Sequence, residues 1–219
     1  MTSLKKNFIY NVVYQMLLII LPLITAPYIA RTLGAEGVGI YSYTYSVAQY
    51  FLLFAMLGIS NHGNRSIAAV REDDCKLSRT FWSIYSIQAF MYVLAIIAYL
   101  IYLFAFNVDN KTIVAIQFIY VVSGALDISW YFFGTEQFKI TVTRNMIIKI
   151  ATVILMFIFV HNPGDLAKYT VIMAGGTFLS QAYLWTYIFR QVDVVKVNWL
   201  DIKKHIKEVI ILFIPVIAY

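Results

Sequence analysis

Six runs of about twenty mostly apolar residues divide the chain, near 10–30, 40–60, 81–106, 112–133, 140–160 and 169–189. A seventh opens at Val209 and reaches Tyr219. A hydrocarbon core of about 30 Å takes roughly 20 helical residues to cross. None of the runs alternates with period 2, and all exceed the roughly 10 residues of a barrel strand. The pattern predicts an all-α polytopic membrane protein, with six transmembrane helices in one lobe over 1–190. A basic amphipathic linker follows over 191–208, and 209–219 reads as the start of a second lobe. A span of about 11 residues cannot cross the bilayer, so the chain is expected to be a fragment or a truncated form.

Polar residues inside the runs fall on helical faces. Asn7, Asn11 and Gln15 step by four in the first run. Ser42, Ser46, Gln49 and Ser60 share a face in the second. Gln117, Tyr120, Gly124, Asp127 and Tyr131 do so in the fourth, and Thr141, Asn145, Lys149 and Thr152 in the fifth. One such stripe is ordinary helix-to-helix glue; four together predict a shared hydrated interior. Asp127 and Lys149 are ionisable groups at membrane depth, where charge is expensive and tends to mark function. They sit equally far from the turn near residue 138, which predicts that they pair or share a polar cavity. The plainer alternative has Lys149 snorkelling to the interface and Asp127 capping a bend near Gly124. Pro22 and Pro27 each remove a backbone donor from the first run and mark a candidate hinge. Gly34, Gly37 and Gly39 read as a flexible turn after it.

The loops set the orientation. The N-terminus and the second, fourth and sixth loops carry thirteen of the 17 Lys and Arg. The other three loops carry Arg31, Lys111 and Lys168. Short Lys/Arg-rich loops stay cytoplasmic, which places the N-terminus inside. The first apolar run is too long for a signal-peptide core, and Pro27 follows the one small-residue site, Ala26, so an uncleaved helix is expected. Trp199, Ile202, Ile206 and Val209 line one helical face, with Lys203, Lys204 and Lys207 opposite. That face predicts a helix lying on the inner leaflet.

Composition narrows the functions. Apolar residues make up 61% of the 219 and charged residues 13%, with a mean hydropathy of +0.75. This is a lipid-solvated balance. The net charge of +6 sits in short loops and not on one soluble face, so nucleic acid is not an expected partner. The single cysteine, Cys75, excludes an intrachain disulfide. His62, His161 and His205 read as isolated loop histidines without metal-ligand spacing. No P-loop or catalytic constellation is present, so no cofactor, metal or enzymatic activity is expected.

Several motifs have a familiar look. Leu21-Pro22-Leu23-Ile24-Thr25-Ala26-Pro27-Tyr28 runs on into Arg31-Thr32-Leu33-Gly34-Ala35-Glu36-Gly37-Val38-Gly39. Gly63-Asn64-Arg65, Asp127-Ile128-Ser129-Trp130-Tyr131-Phe132-Phe133-Gly134 and Thr143-Arg144-Asn145 follow in order. Together they resemble the O-antigen and capsule polysaccharide flippases, of the multidrug/oligosaccharidyl-lipid/polysaccharide exporter superfamily, in their N-terminal half. Ile214-Pro215-Val216-Ile217 echoes the start of the first run. The resemblance implies a two-lobed, MATE-like fold in the bacterial cytoplasmic membrane. The implied substrate is undecaprenyl-pyrophosphate-linked oligosaccharide, flipped by alternating access with ion-gradient coupling. Implied partners are membrane lipids, a second lobe and the polysaccharide assembly machinery. On that reading Arg31, Arg144 and Lys149 are phosphate candidates and Asp127 the coupling candidate. Asn11, Gln15, Gln49, Gln117 and Asn145 line the cavity. A drug or organic-cation antiporter of the same superfamily, a non-transporting assembly subunit and a membrane sugar polymerase are the alternatives.

Overall fold

The computed structural model describes the backbone of residues 2–56 and 58–217 and the side chains of residues 15–16, 19–56 and 58–213. The described residues are helical, with no strand among them. In order they form α1 (Thr2–Met56), α2 (Ile59–Val70), α3 (Asp74–Ala105), α4 (Lys111–Ala125), α5 (Ser129–Gly134), α6 (Phe138–Phe159), a 3-10 turn (Pro163–Asp165), α7 (Leu166–Ile188) and α8 (Trp199–Ile217).

The first two apolar runs lie in α1, whose two arms meet at Gly34 (φ 70°, ψ 175°). That φ is in the left-handed region, which glycine adopts without a Cβ clash. The break therefore falls at Gly34 alone. The chain resumes a helix at once through Gly37 and Gly39, where the sequence predicts a loose turn. Pro22 and Pro27 lie inside the first arm, and the backbone stays helical past both. Proline's fixed φ suits a helix; what it costs is one hydrogen bond.

Asp73 starts α3 by accepting from the Lys76 amide at 3.0 Å, an N-cap that begins the helix several residues before its apolar run. Lys76 also pairs with this carboxylate. Both contacts hold its pKa below the usual carboxylate value. The segment read as the second loop is itself largely helical. Ile59, His62, Gly63 and Ile67 form the buried face of α2, an amphipathic spacing. The fourth run breaks into α4 and α5. The linker and the seventh run join as one helix, α8. The apolar stripe of α8 is partly used by the protein itself: Val209 is buried, and Ile202 and Ile206 are half-buried. Trp199 and Leu200 stay exposed.

Three stretches are long and apolar enough to cross a membrane among the described residues: Asp74–Ala105, Lys111–Gly134 and Phe138–Phe159. In α7, Gly175, Gly176, Thr177, Ser180 and Gln181 dilute an otherwise apolar run. In the second arm of α1, Ser42, Thr44, Ser46, Gln49 and interleaved tyrosines do the same. Large apolar side chains are exposed along the bundle, among them Leu23, Phe90, Ile101, Phe104 and Leu179, as lipid-facing surface requires. Three clusters form the core. Phe81, Trp130, Tyr131, Phe132 and Leu184 centre one where α2, α3, α5 and α7 meet. Ala48, Tyr92, Tyr99 and Val121 join α1, α3 and α4. Ile29, Leu33 and Met156 join the first arm of α1 to α6.

Candidate functional site

Three polar constellations lie inside these apolar helices. The first surrounds the α4–α5 break. A helix that stops inside a bundle exposes carbonyls, and in lipid these need protein partners. The Gln88 amide supplies them, donating to the carbonyls of Asp127 (2.8 Å), Gly124 (3.3 Å) and Ala125 (3.4 Å). Its oxygen accepts from the Trp130 indole at 2.9 Å. The Trp185 indole donates to the Leu126 carbonyl at 3.0 Å. Asp127 Oδ1 accepts from the Ser129 amide at 2.9 Å, closing the turn just before α5. Gln88 is fully buried. It was readable as a lone amide in the apolar stretch Ile87-Gln88-Ala89-Phe90, yet no helical stripe contains it.

The second constellation joins α1, α4 and α7. Gln117 is fully buried, and its amide donates to Thr44 Oγ1 at 3.2 Å and toward the Tyr41 carbonyl at 3.5 Å. The Tyr41 and Tyr120 hydroxyls lie 3.1 Å apart. Tyr41 packs against Tyr45 and Tyr169, and Tyr45 against Tyr120. Gln117 Oε1 has no hydrogen-bond partner, a costly position for a buried amide oxygen.

The third holds α6 to α7. Arg144 is buried. Its Nη1 donates to the Ser180 carbonyl and to Gln181 Oε1, both at 3.0 Å, and Nη2 donates to Asn145 Oδ1 at 2.9 Å. Gly176 of α7 sits against the Thr152 methyl of α6 with no room for a Cβ.

The structure brings Arg144 and Asn145 together, and Gln117 to Thr44. It does not join Asp127 to Lys149. No ion pair links them among the described residues. Asp127 caps the break, the plainer of its two expected roles, and Lys149 is half-buried mid-helix, its carbonyl accepting from Thr152 Oγ1 at 2.9 Å. Gln15 and Arg31 are exposed and Gln49 is half-buried. The Asn11 side chain lies outside the described residues, as does that of Pro215. The two other sequence stripes diverge. Ser42 and Ser46 stay exposed, and Ser46 Oγ donates only to the Ser42 carbonyl of its own helix. Thr141 is buried.

At one end of the bundle a polar pocket of about 640 Å³ opens between Arg71, Asp74, Ser78, Tyr131, Gln137, Arg190, Gln191 and Asp193. Its groups largely satisfy one another. Gln137 and Gln191 exchange two 2.9 Å hydrogen bonds. Tyr131 donates to Gln191, and Ser78 accepts from the Asp193 amide. Arg71 at its rim pairs with Glu136. The expectation of solvated loop histidines fails for two of the three: His62 is buried on α2 and lies within hydrogen-bonding distance of His205 on α8. The signal is tertiary, since 143 residues separate them.

Among known proteins, a sequence model for the family described as polysaccharide biosynthesis protein matches residues 4–218. A putative O-antigen transporter of Escherichia coli (strain K12) is 28% identical over 204 residues, covering 90% of this chain and 47% of that relative. The chain thus spans about half the length of the curated relative it matches. No solved structure matches. With apolar helices long enough to span and a family model covering nearly its whole length, this membrane-embedded chain belongs to the polysaccharide biosynthesis protein family.

Proposed function

We propose that the chain forms a six-span, MATE-like lobe of a flippase that carries a lipid-linked oligosaccharide across the bacterial cytoplasmic membrane, with its N-terminus inside. Alternating access against a second lobe and coupling to an ion gradient complete the reading. The observation that carries it is the second arm of α1. Ser42 and Ser46 are exposed and Gln49 half-buried on one face, beside exposed Tyr43 and Tyr50, while Ala48 and Ala55 pack the other side against α3 and α4. Such a row of polar side chains facing out at membrane depth, with Ser46 bonded only within its own helix, is best matched by water, sugar or protein opposite it. The half-buried Lys149 and the exposed Arg31 are the cations we assign to the pyrophosphate. Arg144 has its guanidinium engaged by α7, so we assign it the positioning of α6. Asp127 closes the turn before α5 through one carboxylate oxygen and remains our coupling candidate through the other.

The test is complementation. A strain lacking its own O-antigen flippase is given the complete protein that contains this chain, with the matching repeat-unit synthesis genes. Surface polysaccharide should return, and Lys149→Ala should cut it by roughly tenfold or more, the scale of losing about 1.4 kcal/mol of phosphate binding. Failure to restore surface polysaccharide, with lipid-linked units also absent from the outer leaflet, would sink the reading.

A further inference from the structure

Helices α2 and α8 meet closely. Gly58, just before α2, faces the Val209 carbonyl and Leu212 with no space for a Cβ. One turn on, His62 Nε2 lies 2.8 Å from His205 Nδ1, and the rings stand 5.0 Å apart at 61°. His62 is 8% exposed. Ser66 Oγ is 3.3 Å from the same His62 nitrogen. At that separation the two nitrogens share one hydrogen, one ring donating and the other accepting. The pair therefore tolerates two neutral rings or one charged ring. With both rings charged neither nitrogen can accept from the other, and two positive charges face each other in a half-buried seam. No group of three His, Cys, Asp or Glu able to hold a metal occurs among the described residues.

The neighbourhood is mixed. Glu208 of α8 favours charge on His62. Asp201 favours charge on His205 while Lys204 opposes it, and Arg79 of α3 acts on Asp201. Loss of hydration outweighs these for both rings.

We propose that His62 and His205 form a proton-sensitive catch that keeps α8 seated on α2 and releases it in acid. Burial and the neighbouring ring push His205 down from 6.5 to about 4, and His62 also lies below its ordinary value. A released pair binds protons more readily than a seated one. Seating is therefore complete above about pH 6.5 and weakens as pH falls toward about 4. The released-to-seated ratio should rise by on the order of 100-fold across that window. The inference goes beyond transport and needs no substrate.

The test uses the protein in nanodiscs with Cys75→Ser, which removes the exposed native thiol, and spin labels at Asn61→Cys and Lys207→Cys, both exposed positions. Pulsed dipolar spectroscopy should give one distance at pH 8 and a second, longer population growing below pH 6.5. His205→Gln, which keeps a hydrogen-bonding group but takes no proton, should shrink the acid-released population, since only His62 then titrates; His62→Gln should do the same, and the double Gln variant should hold the pH 8 distance at every pH. A parent distribution unchanged from pH 8 to pH 4, or the same pH response in the Gln variants, would overturn the catch.

Discussion

The α4–α5 break and the second arm of α1 both put polar groups inside apolar helices, and they treat them in opposite ways. At the break the carbonyls of Gly124, Ala125, Leu126 and Asp127 meet fixed side-chain donors. Gln88 takes three, Trp185 takes one, and Trp130 completes the amide. Along the arm, Ser42 and Ser46 face outward and bond only within their own helix. A broken helix is thus not by itself a sign of a wet site. Satisfied breaks are structure; exposed hydroxyls on an intact helix are the better pointer to water or ligand.

The sharpest way to break this contrast is Gln88→Leu. The change removes one side chain and strands several backbone and indole partners in a dry core. Each orphan costs about 1–3 kcal/mol, and the total loss should be about 3 kcal/mol or more in detergent unfolding followed by tryptophan fluorescence. A loss under about 1 kcal/mol would mean water reaches the break, and the distinction between the two regions would fall. Next in size is Gly63→Ala. A Cβ there lands on the indole of Trp130, the ring that Gln88 fixes, and such overpacking costs about 1–3 kcal/mol. Because both substitutions act on one ring, the double variant should lose less than the sum of the singles. Strict additivity would show that Trp130 is held by something other than Gln88.

The arm predicts the reverse behaviour. Gln49→Leu and Ser46→Ala should change stability by less than about 0.5 kcal/mol, as surface substitutions do, while lowering surface polysaccharide in the complementation assay. In the Cys75→Ser background, Ser46→Cys should react with a membrane-impermeant maleimide far faster than Gln88→Cys. Equal protection of both positions would place lipid, not water, against the arm.

How much of this the chain announces in advance depends on whether a feature is local. The apolar runs are local: α6 and α7 fall on them within a few residues, and α3 ends with its run but starts earlier, at its Asp73 cap. The Asp73 cap and the amphipathic face of α2 are local too, but they sit in a charged stretch that reads as loop. Asp127 carried two readings because depth alone made it a partner for Lys149. What the sequence could not show is the backbone over 126–128, which leaves the helix and gives the carboxylate the Ser129 amide to hold. The buried arginine is a similar case. Arg144 in isolation reads as a phosphate ligand; besides its neighbour Asn145, the acceptors that occupy it come from α7, 36 and 37 residues away. Gln88 and the His62–His205 pair depend on contacts with no sequence period at all.

The smallest expected effect concerns neither region but the turn that joins α6 to α7, and it checks that the bundle's ends are set by local chemistry. Asp165 Oδ2 accepts from the amides of His161 and Asn162 at 3.0 and 3.2 Å. Lys168 pairs with its other oxygen at 2.6 Å. Asn162 closes the turn by accepting from the Gly164 amide. Lys168, ahead of the two amides, pulls the carboxyl down from 3.8 to about 2. A carboxylate held low in the folded turn contributes its stability above the ordinary carboxylate pKa and loses it as pH falls through about 2. Amide hydrogen exchange at His161 and Asn162 should therefore stay protected down to about pH 4 and open between pH 4 and pH 2. Asp165→Asn keeps a side-chain acceptor but loses the charge that Lys168 reads, so it should abolish that pH dependence while leaving partial protection. Protection that is flat across the window in the parent would mean the turn is held by proline and packing alone, with the carboxylate a bystander.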